Sequence, residues 1–126
     1  MKIAISATAS DINSPFDPRF GRGASFVFVD TETGKWETYP NTAVSASGGA
    51  GIQTAQFVAK HGVQAVVSGG FGPNAFATLN AAGIKMFVAR DGTVQELVKK
   101  LKAGELQEVD AAKRTVGLRH ARGGGR

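Results

Sequence analysis

Residues 64–89 read QAVVSGGFGPNAFATLNAAGIKMFVA, and the order of elements within them defines the class of fold. Gln64–Ser68 is a short apolar segment that predicts a buried strand. After a glycine-rich turn, Pro73 stands where the first turn of a helix tolerates proline, and Gly83 is placed to end that helix. Ile84–Ala89 then predicts a second buried strand. A strand, a helix and a strand in close succession indicate a β-α-β unit with parallel strands.

Upstream of this unit the sequence predicts a strand, a hairpin and a helix. Met1–Thr8 has the alternation and small or β-branched residues of a strand. Ala24–Asp30 and Lys35–Pro40 flank a short Gly-containing turn, which is typical of a β-hairpin. Ile52–His61 has helical spacing of its apolar residues, and Gly62 is expected to end that helix in the left-handed conformation.

Downstream of the unit the sequence predicts one further helix. Thr93 and Glu96 form a capping-box pattern, in which each side chain can accept a hydrogen bond from the other residue's backbone N–H. Gly104 is expected to end the helix, whose apolar stripe consists of Val94, Leu97, Val98 and Leu101. The complete order predicts one sheet with a parallel core, an antiparallel edge and helices on both faces.

Composition bounds the kind of protein. A chain of 126 residues with 42% hydrophobic residues suits a single globular domain. The chain has no cysteine, which excludes disulfides and any metal centre ligated by its own thiolates. This fits a reducing, cytoplasmic location. No segment approaches the roughly 20 apolar residues that span a bilayer, and Ile3–Ala7 is too short for the apolar core of a signal peptide, so we expect no membrane partner.

The net charge of +5 belongs to the C-terminal tail and not to the body of the chain. Residues 1–112 are electrically balanced, and the whole excess comes from Lys113, Arg114, Arg119, Arg122 and Arg126. We therefore expect a domain over residues 1–106 and a basic, disordered tail over residues 107–126. Such a tail would give salt-sensitive affinity for nucleic acid, but it lacks aromatic residues for base stacking. Nucleic acid is thus expected as a partner only through the tail.

Three loops, residues 17–22, 48–51 and 69–74, are rich in glycine and polar residues, and two of them run into predicted helix N-termini. In an open α/β sheet, ligands bind at the carboxyl ends of the strands. Glycine lets backbone N–H groups approach a ligand, helix N-termini favour anions, and arginine adds charge in a fork geometry. The loops predict a crevice for a small anionic ligand, with these binding residues: Arg19, Gly21, Arg22, Gly49, Gly51, Gly70, Gly72 and Asn74.

Each part of this pattern also has a purely structural interpretation. The glycines are also consistent with tight turns alone, and the arginines with solvated charges or with ion pairs to Asp11 and Asp17. Neither glycine run matches the phosphate-loop pattern or the dinucleotide-binding spacing. Both interpretations stay open at the level of sequence.

Nothing in the sequence requires catalysis. No pair of carboxylates is marked for acid–base work, and no serine has a nucleophile-elbow context. His61 is expected at a helix C-terminus, where a cation complements the helix dipole, and His120 lies in the basic tail. We therefore predict that the protein is not an enzyme and has no catalytic residues.

Several short stretches, taken in order, resemble the dinitrogenase iron–molybdenum cofactor biosynthesis family over residues 1–106. They are 17–23, 49–52, 70–76, Leu79, 82–85, 92–96 and 104–106. The resemblance implies a ribonuclease H-like three-layer sandwich with a five-stranded mixed sheet. It also implies an accessory or carrier role in nitrogen fixation, without nuclease activity because the required acidic cluster is not visible.

The same resemblance implies a ligand and partners. The ligand would be an iron–sulfur or iron–molybdenum cofactor precursor, and the partners would be cofactor-assembly proteins. Because this chain has no cysteine, the ligand would be held by Arg19 and Arg22 electrostatically or be ligated by His61 or His120. Two alternatives use the same residues: an enzyme or binder of small phosphorylated or nucleotide ligands, and an interaction module with a nucleic-acid-binding tail.

Overall fold

A computed structural model of the chain describes residues 1–20, 23–41 and 50–109. The described residues form a six-stranded sheet in the order β3-β2-β1-β4-β5-β6 with three helices. The elements are β1 (Lys2–Ala7), β2 (Ser25–Asp30), β3 (Trp36–Pro40), α1 (Ala50–Lys60), β4 (Ala65–Ser68), α2 (Pro73–Ala81), β5 (Lys85–Val88), α3 (Val94–Lys102) and β6 (Gln107–Glu108).

The sheet is mixed, as the sequence predicts. Strands β1, β4 and β5 are parallel neighbours, whereas β2 and β3 form an antiparallel hairpin on one side. The prediction of five strands is wrong, because β6 adds an antiparallel strand beside β5. The backbone N–H of Val109 extends this contact by donating to the carbonyl of Met86 at 2.8 Å. This strand lies just beyond residue 106, where the sequence reading placed the end of the domain.

Both faces of the sheet are covered by helices, which makes the fold a three-layer α/β sandwich. Alternate strand residues point to opposite faces. Ile3, Ile5 and Val67 pack on the side of α3, in one cluster with its Val94, Leu97, Val98 and Leu101. Ala4, Phe28 and Val66 pack on the other side, in one cluster with residues of α1 and α2. Burial of both faces explains why β1 and β4 are apolar throughout rather than alternating.

The helix boundaries follow the predicted capping chemistry. Thr93 Oγ1 accepts from the backbone N–H of Glu96 at 3.2 Å, and Glu96 Oε1 accepts from the N–H of Thr93 at 2.8 Å. Gly62, Gly83 and Gly104 follow the three helices with φ of 73°, 75° and 74°, in the left-handed region that favours glycine. Within the described part of the chain, no helix is long and apolar enough to cross a membrane.

Candidate functional site

A cavity of about 230 Å³ lies at the carboxyl ends of the parallel strands, where the N-termini of α1 and α2 meet. Its lining residues are Phe20, Gly51, Ile52, Gly70, Gly72, Pro73, Asn74 and Ala75. This is the edge at which open α/β sheets bind their ligands. We name this cavity the crevice.

One wall of the crevice is made by two loops that are fastened together. The backbone N–H of Gly69 donates to the carbonyl of Pro18 at 2.9 Å, and Ser68 Oγ lies at 3.1 Å from the same oxygen. The rings of Phe20 and Phe71 contact each other with centroids 5.4 Å apart. These contacts hold the segment after β1 against the segment after β4, so Phe20 is positioned at the crevice by residues about 50 positions away.

The second wall is the start of α1, packed closely on α2. A Cβ atom at Gly51 would lie 3.2 Å from the Cβ of Ala75, which is tighter than ordinary contact. The glycine therefore lets the first turns of the two helices approach each other. Because each helix N-terminus carries a partial positive charge, their convergence makes the crevice favourable for an anion.

Backbone N–H groups in the first turn of α2 have no hydrogen-bond acceptor among the described residues. Gly72 is the N-cap and provides no side chain to cap the helix, and Pro73 has no N–H. The first helical hydrogen bond runs from Phe76 N to Gly72 O, so the N–H groups of Asn74 and Ala75 remain available among these residues. Neither α1 nor α2 has an acidic residue in its first turn. Nothing negative in either turn competes with an incoming anion.

The three glycines of the β4–α2 loop have different structural roles. A Cβ at Gly69 would lie 2.5 Å from Pro18 Cβ and 2.8 Å from Pro18 O, so packing requires glycine there. At Gly70 and Gly72 a Cβ would meet nothing within 4 Å, and neither has a positive φ. A tight turn accounts for neither of these two glycines. Their missing side chains instead leave open space in front of the backbone that lines the crevice.

Arg19 is held in a fork by Asp17. Asp17 is only 4% exposed, and its two carboxylate oxygens accept from Arg19 Nε at 3.0 Å and Arg19 Nη2 at 2.8 Å. The same carboxylate accepts from the backbone N–H of Arg19 at 3.0 Å. The hydrogen bond from the Arg19 side chain is the main reason that the pKa of Asp17 lies below its ordinary value of 3.8. Of the interpretations that the sequence left open for Arg19, the structure shows the ion pair with Asp17.

Two buried hydroxyl groups have no hydrogen-bond partner among the described residues. Ser6 is the second-last residue of β1, and Thr54 is in α1, three residues after Gly51. Each is 1% exposed. An unmade hydrogen bond at a buried hydroxyl is unfavourable by about 1–3 kcal/mol, so these two groups are exceptions to the usual pairing of buried polar atoms.

The structure brings together half of the residues that the sequence predicts for binding. Gly51, Gly70, Gly72 and Asn74 line the crevice, whereas Arg19 is not part of its lining. Sequence reasoning did not assign Phe20, Ile52, Pro73 or Ala75 to the site; an aromatic residue inside a glycine-rich loop was the available signal for Phe20. The remaining predicted residues, Gly21, Arg22 and Gly49, lie outside the described residues.

The described residues provide no ligand set for direct metal coordination: no group of three or more His, Cys, Asp or Glu side chains among them is arranged to hold a metal ion. His61 lies just after the C-terminal end of α1, away from the crevice, and its Nδ1 is 2.9 Å from the carbonyl of Phe57. Its ring packs on Phe57 and Tyr39 at centroid distances of 4.4 and 5.0 Å. His61 is therefore part of an aromatic cluster and does not contribute to the crevice.

The fold and the site define a class: a small three-layer α/β domain that offers backbone hydrogen-bond donors at the carboxyl ends of its parallel strands. Residues 1–104 match the family model described as dinitrogenase iron-molybdenum cofactor, and the chain belongs to this family. The family resemblance drawn from the sequence is thereby confirmed.

Relatives of known structure share the fold over most of the chain. The apo form of the orange protein from Desulfovibrio gigas is 39% identical, with a TM-score of 0.81 over 85% of this chain and 91% of that one. A candidate NifB protein from Thermotoga, solved by NMR, is 36% identical, with a TM-score of 0.76 over 86% and 92%. An uncharacterized protein of Methanocaldococcus jannaschii is 30% identical over 113 residues, which are 87% of this chain and 92% of the relative.

Proposed function

We propose that the protein is a non-enzymatic carrier that binds an anionic metal-cluster precursor of the iron–molybdenum type, or a related small anion, in the crevice. The observation that carries this proposal is the first turn of α2. Its N–H groups at Asn74 and Ala75 have no acceptor among the described residues, and Gly70 and Gly72 leave the space in front of them open. Membership of the cofactor family supplies the chemical class of the cargo.

The crevice suits a preassembled anion that is held without coordination bonds. The chain has no cysteine, and the described residues contain no cluster of metal ligands. What the crevice does offer is backbone N–H donors, two helix N-termini and an apolar wall that includes Phe20 and Ile52. Donors of this kind bind negative charge, and the apolar wall suits polarisable atoms such as the sulfides of a cluster.

The arginines are proposed to supply charge at the rim of the crevice. Arg19 has Nε and Nη2 committed to Asp17, so its guanidinium is fixed in orientation and keeps Nη1 for a ligand. Its side chain is 69% exposed, which keeps that group accessible. The proposal keeps Gly21, Arg22 and Gly49, which lie outside the described residues, as predicted ligand contacts.

A carrier role also fits the absence of a reactive constellation in the described residues. The buried carboxylate of Asp17 is neutralised by Arg19, which leaves it unsuited to act as a base. We propose that the cargo passes to and from cofactor-assembly proteins in the cytoplasm.

Anaerobic reconstitution of the full chain with iron, sulfide and molybdate, followed by desalting, absorption spectroscopy and metal analysis, tests the proposal. We expect retained metal in the native protein and loss of it in Gly72→Asp, which places a carboxylate at the N-cap of α2. Asn80→Asp, with the same added charge at the other end of α2, is the matched control and should retain metal. Titration with inorganic phosphate alone tests the alternative ligand: tight phosphate binding with no retained metal would overturn the cluster proposal.

A further inference from the structure

The outer edge of β3 is a free sheet edge, and its hydrogen-bonding groups are defined by the pairing with β2. Asp30 N donates to Lys35 O, and Asn41 N donates to Ala24 O, both across the hairpin. Bonded pairs alternate along an antiparallel ladder. Hence Glu37 and Tyr39 face β2, whereas the N–H and C=O groups of Trp36 and Thr38 point away from the sheet. Within the described parts of the chain, no acceptor or donor meets these outward groups.

The edge ends at a proline, which limits what can pair with it. Pro40 is also an outward position, so it offers a carbonyl but no N–H. The usable edge therefore has donors at Trp36 and Thr38 and acceptors at Trp36, Thr38 and Pro40. A proline at an edge blocks continued sheet growth while allowing one short strand to add.

We propose that this edge is an interface on which a second copy of the chain pairs its own β3 antiparallel, about a twofold axis through Thr38. In this register Thr38 of each copy exchanges both backbone hydrogen bonds with Thr38 of the other. The N–H of Trp36 donates to the carbonyl of Pro40 in the second copy, and the N–H of Trp36 in the second copy donates to the carbonyl of Pro40 in the first. Every outward donor has an acceptor, and the missing N–H of Pro40 leaves no donor unpaired.

The side chains of β3 are complementary to themselves in this register. Trp36 lies opposite Pro40 on the face that carries Val27 and Val29, and Glu37 lies opposite Tyr39 on the face that carries Phe28. Within one chain Tyr39 OH already donates to Glu37 Oε1 at 3.0 Å, so the same pair of groups can meet across the axis. A register shifted to centre on Glu37 would instead place two carboxylates opposite each other, which is unfavourable.

The same interface accounts for the exposure of the largest side chain of the protein. Trp36, the single tryptophan of the chain, is 44% exposed and is the only exposed large hydrophobic residue in the described ranges. It borders a cavity of about 530 Å³ along the hairpin, and that cavity is lined by both Lys35 and Glu37. Packing on Pro40 of a second copy would cover the indole. Because a twofold contact uses the same edge on both copies, the assembly closes as a dimer and does not grow into a fibre.

Sedimentation velocity of the full chain from micromolar to near-millimolar concentration tests the interface, with Trp36 emission recorded in the same samples. We expect a rise from monomer to dimer mass together with a blue shift of the emission. Thr38→Pro removes an outward N–H without removing a hydrogen bond to β2, and Trp36→Ser removes the contact with Pro40, so both variants should stay monomeric. Thermal melting and circular dichroism check that each variant is folded.

Crosslinking tests the register and does not depend on those two variants. The chain has no cysteine, so Thr38→Cys creates a single thiol on the proposed axis. Residues exchanging both backbone bonds have Cα atoms about 5.5 Å apart, within the range for a disulfide. Thr38→Cys should form a covalent dimer under mild oxidation far faster than the neighbouring control, Glu37→Cys. The proposal is overturned by a chain that stays monomeric throughout, by a dimer that persists in folded Thr38→Pro, or by faster crosslinking at residue 37.

Discussion

Gly72→Asp is predicted to make the protein more stable and, at the same time, unable to hold an anion in the crevice. Gly72 is the N-cap of α2 with extended backbone, φ −67° and ψ 165°, which an aspartate adopts without strain. A side chain at this position enters open space. Its carboxylate can accept from the N–H groups of Asn74 and Ala75, the donors that we assign to the ligand.

The two effects have opposite signs, and the loss of binding energy is expected to be the larger. Replacing glycine by aspartate at an N-cap, with a negative charge at the helix N-terminus, should stabilise the protein by about 0.5–1 kcal/mol. This corresponds to a rise in Tm of roughly 2–5 °C for a domain of this size. A charge-assisted hydrogen bond lost by the ligand weakens binding by about 1.5–3 kcal/mol, or roughly 10- to 100-fold.

Urea unfolding and anaerobic metal retention, measured on the same preparations, give the two quantities. Gly72→Asn separates the effects, because it caps the helix without a charge and should weaken binding less than Gly72→Asp does. Asn80→Asp, which adds the charge at the exposed far end of α2, should leave metal retention at the native level. The reasoning is refuted if Gly72→Asp retains metal like the native chain, or if it is less stable than the native chain.

Three further outcomes follow from individual contacts. Gly69→Ala should destabilise the protein by about 1–3 kcal/mol in urea unfolding, because the added Cβ overlaps Pro18. Gly70→Ala, whose Cβ enters open space, should change the unfolding free energy by less than about 0.5 kcal/mol. Equal effects of the two substitutions would contradict the distinction between the two glycines. Thr93→Ala should lower the unfolding free energy by about 1 kcal/mol by removing the capping box, and an unchanged midpoint would count against that bond. Because the pKa of Asp17 is lowered in the folded protein, its carboxylate stabilises the fold above pH 3.8 and loses that contribution as the pH falls through the lower folded pKa. Asp17→Asn should therefore be less stable than the native chain at neutral pH, and the difference in unfolding free energy should shrink at lower pH. A difference that stays constant with pH would exclude the ion pair as its source.

The fold was largely accessible from sequence because its signals are local. The capping box at Thr93 and Glu96 and the glycines at 62, 83 and 104 each act within a few residues, and the structure confirms them. Strand β6 was missed for the opposite reason. Gln107 and Glu108 are two polar residues without alternation, and they become a strand only because β5 presents a free edge. The ribonuclease H-like assignment, the boundary at residue 106 and the disorder of the tail stay predictions.

The candidate site was only partly accessible, because its decisive features depend on residues far apart in the chain. Gly69 and Gly70 look alike in sequence, and only the approach of Pro18 separates the glycine that packing requires from the one that leaves space. The position of Phe20 likewise depends on Phe71. For Arg19 the sequence left an anion ligand, a solvated charge and an ion pair all open, because sequence does not show which partner a charged loop residue takes; the structure shows the fork with Asp17.

The most direct test of the central claim is an amide NMR spectrum of the native chain before and after anaerobic loading with iron, sulfide and molybdate. We predict that the backbone signals of Gly70, Gly72, Asn74 and Ala75 shift or broaden, while those of Gly34 and Gly104, which are remote from the crevice, do not. Metal that is retained while the crevice signals stay unchanged, with changes near His61 or in the basic tail instead, would contradict binding in the crevice.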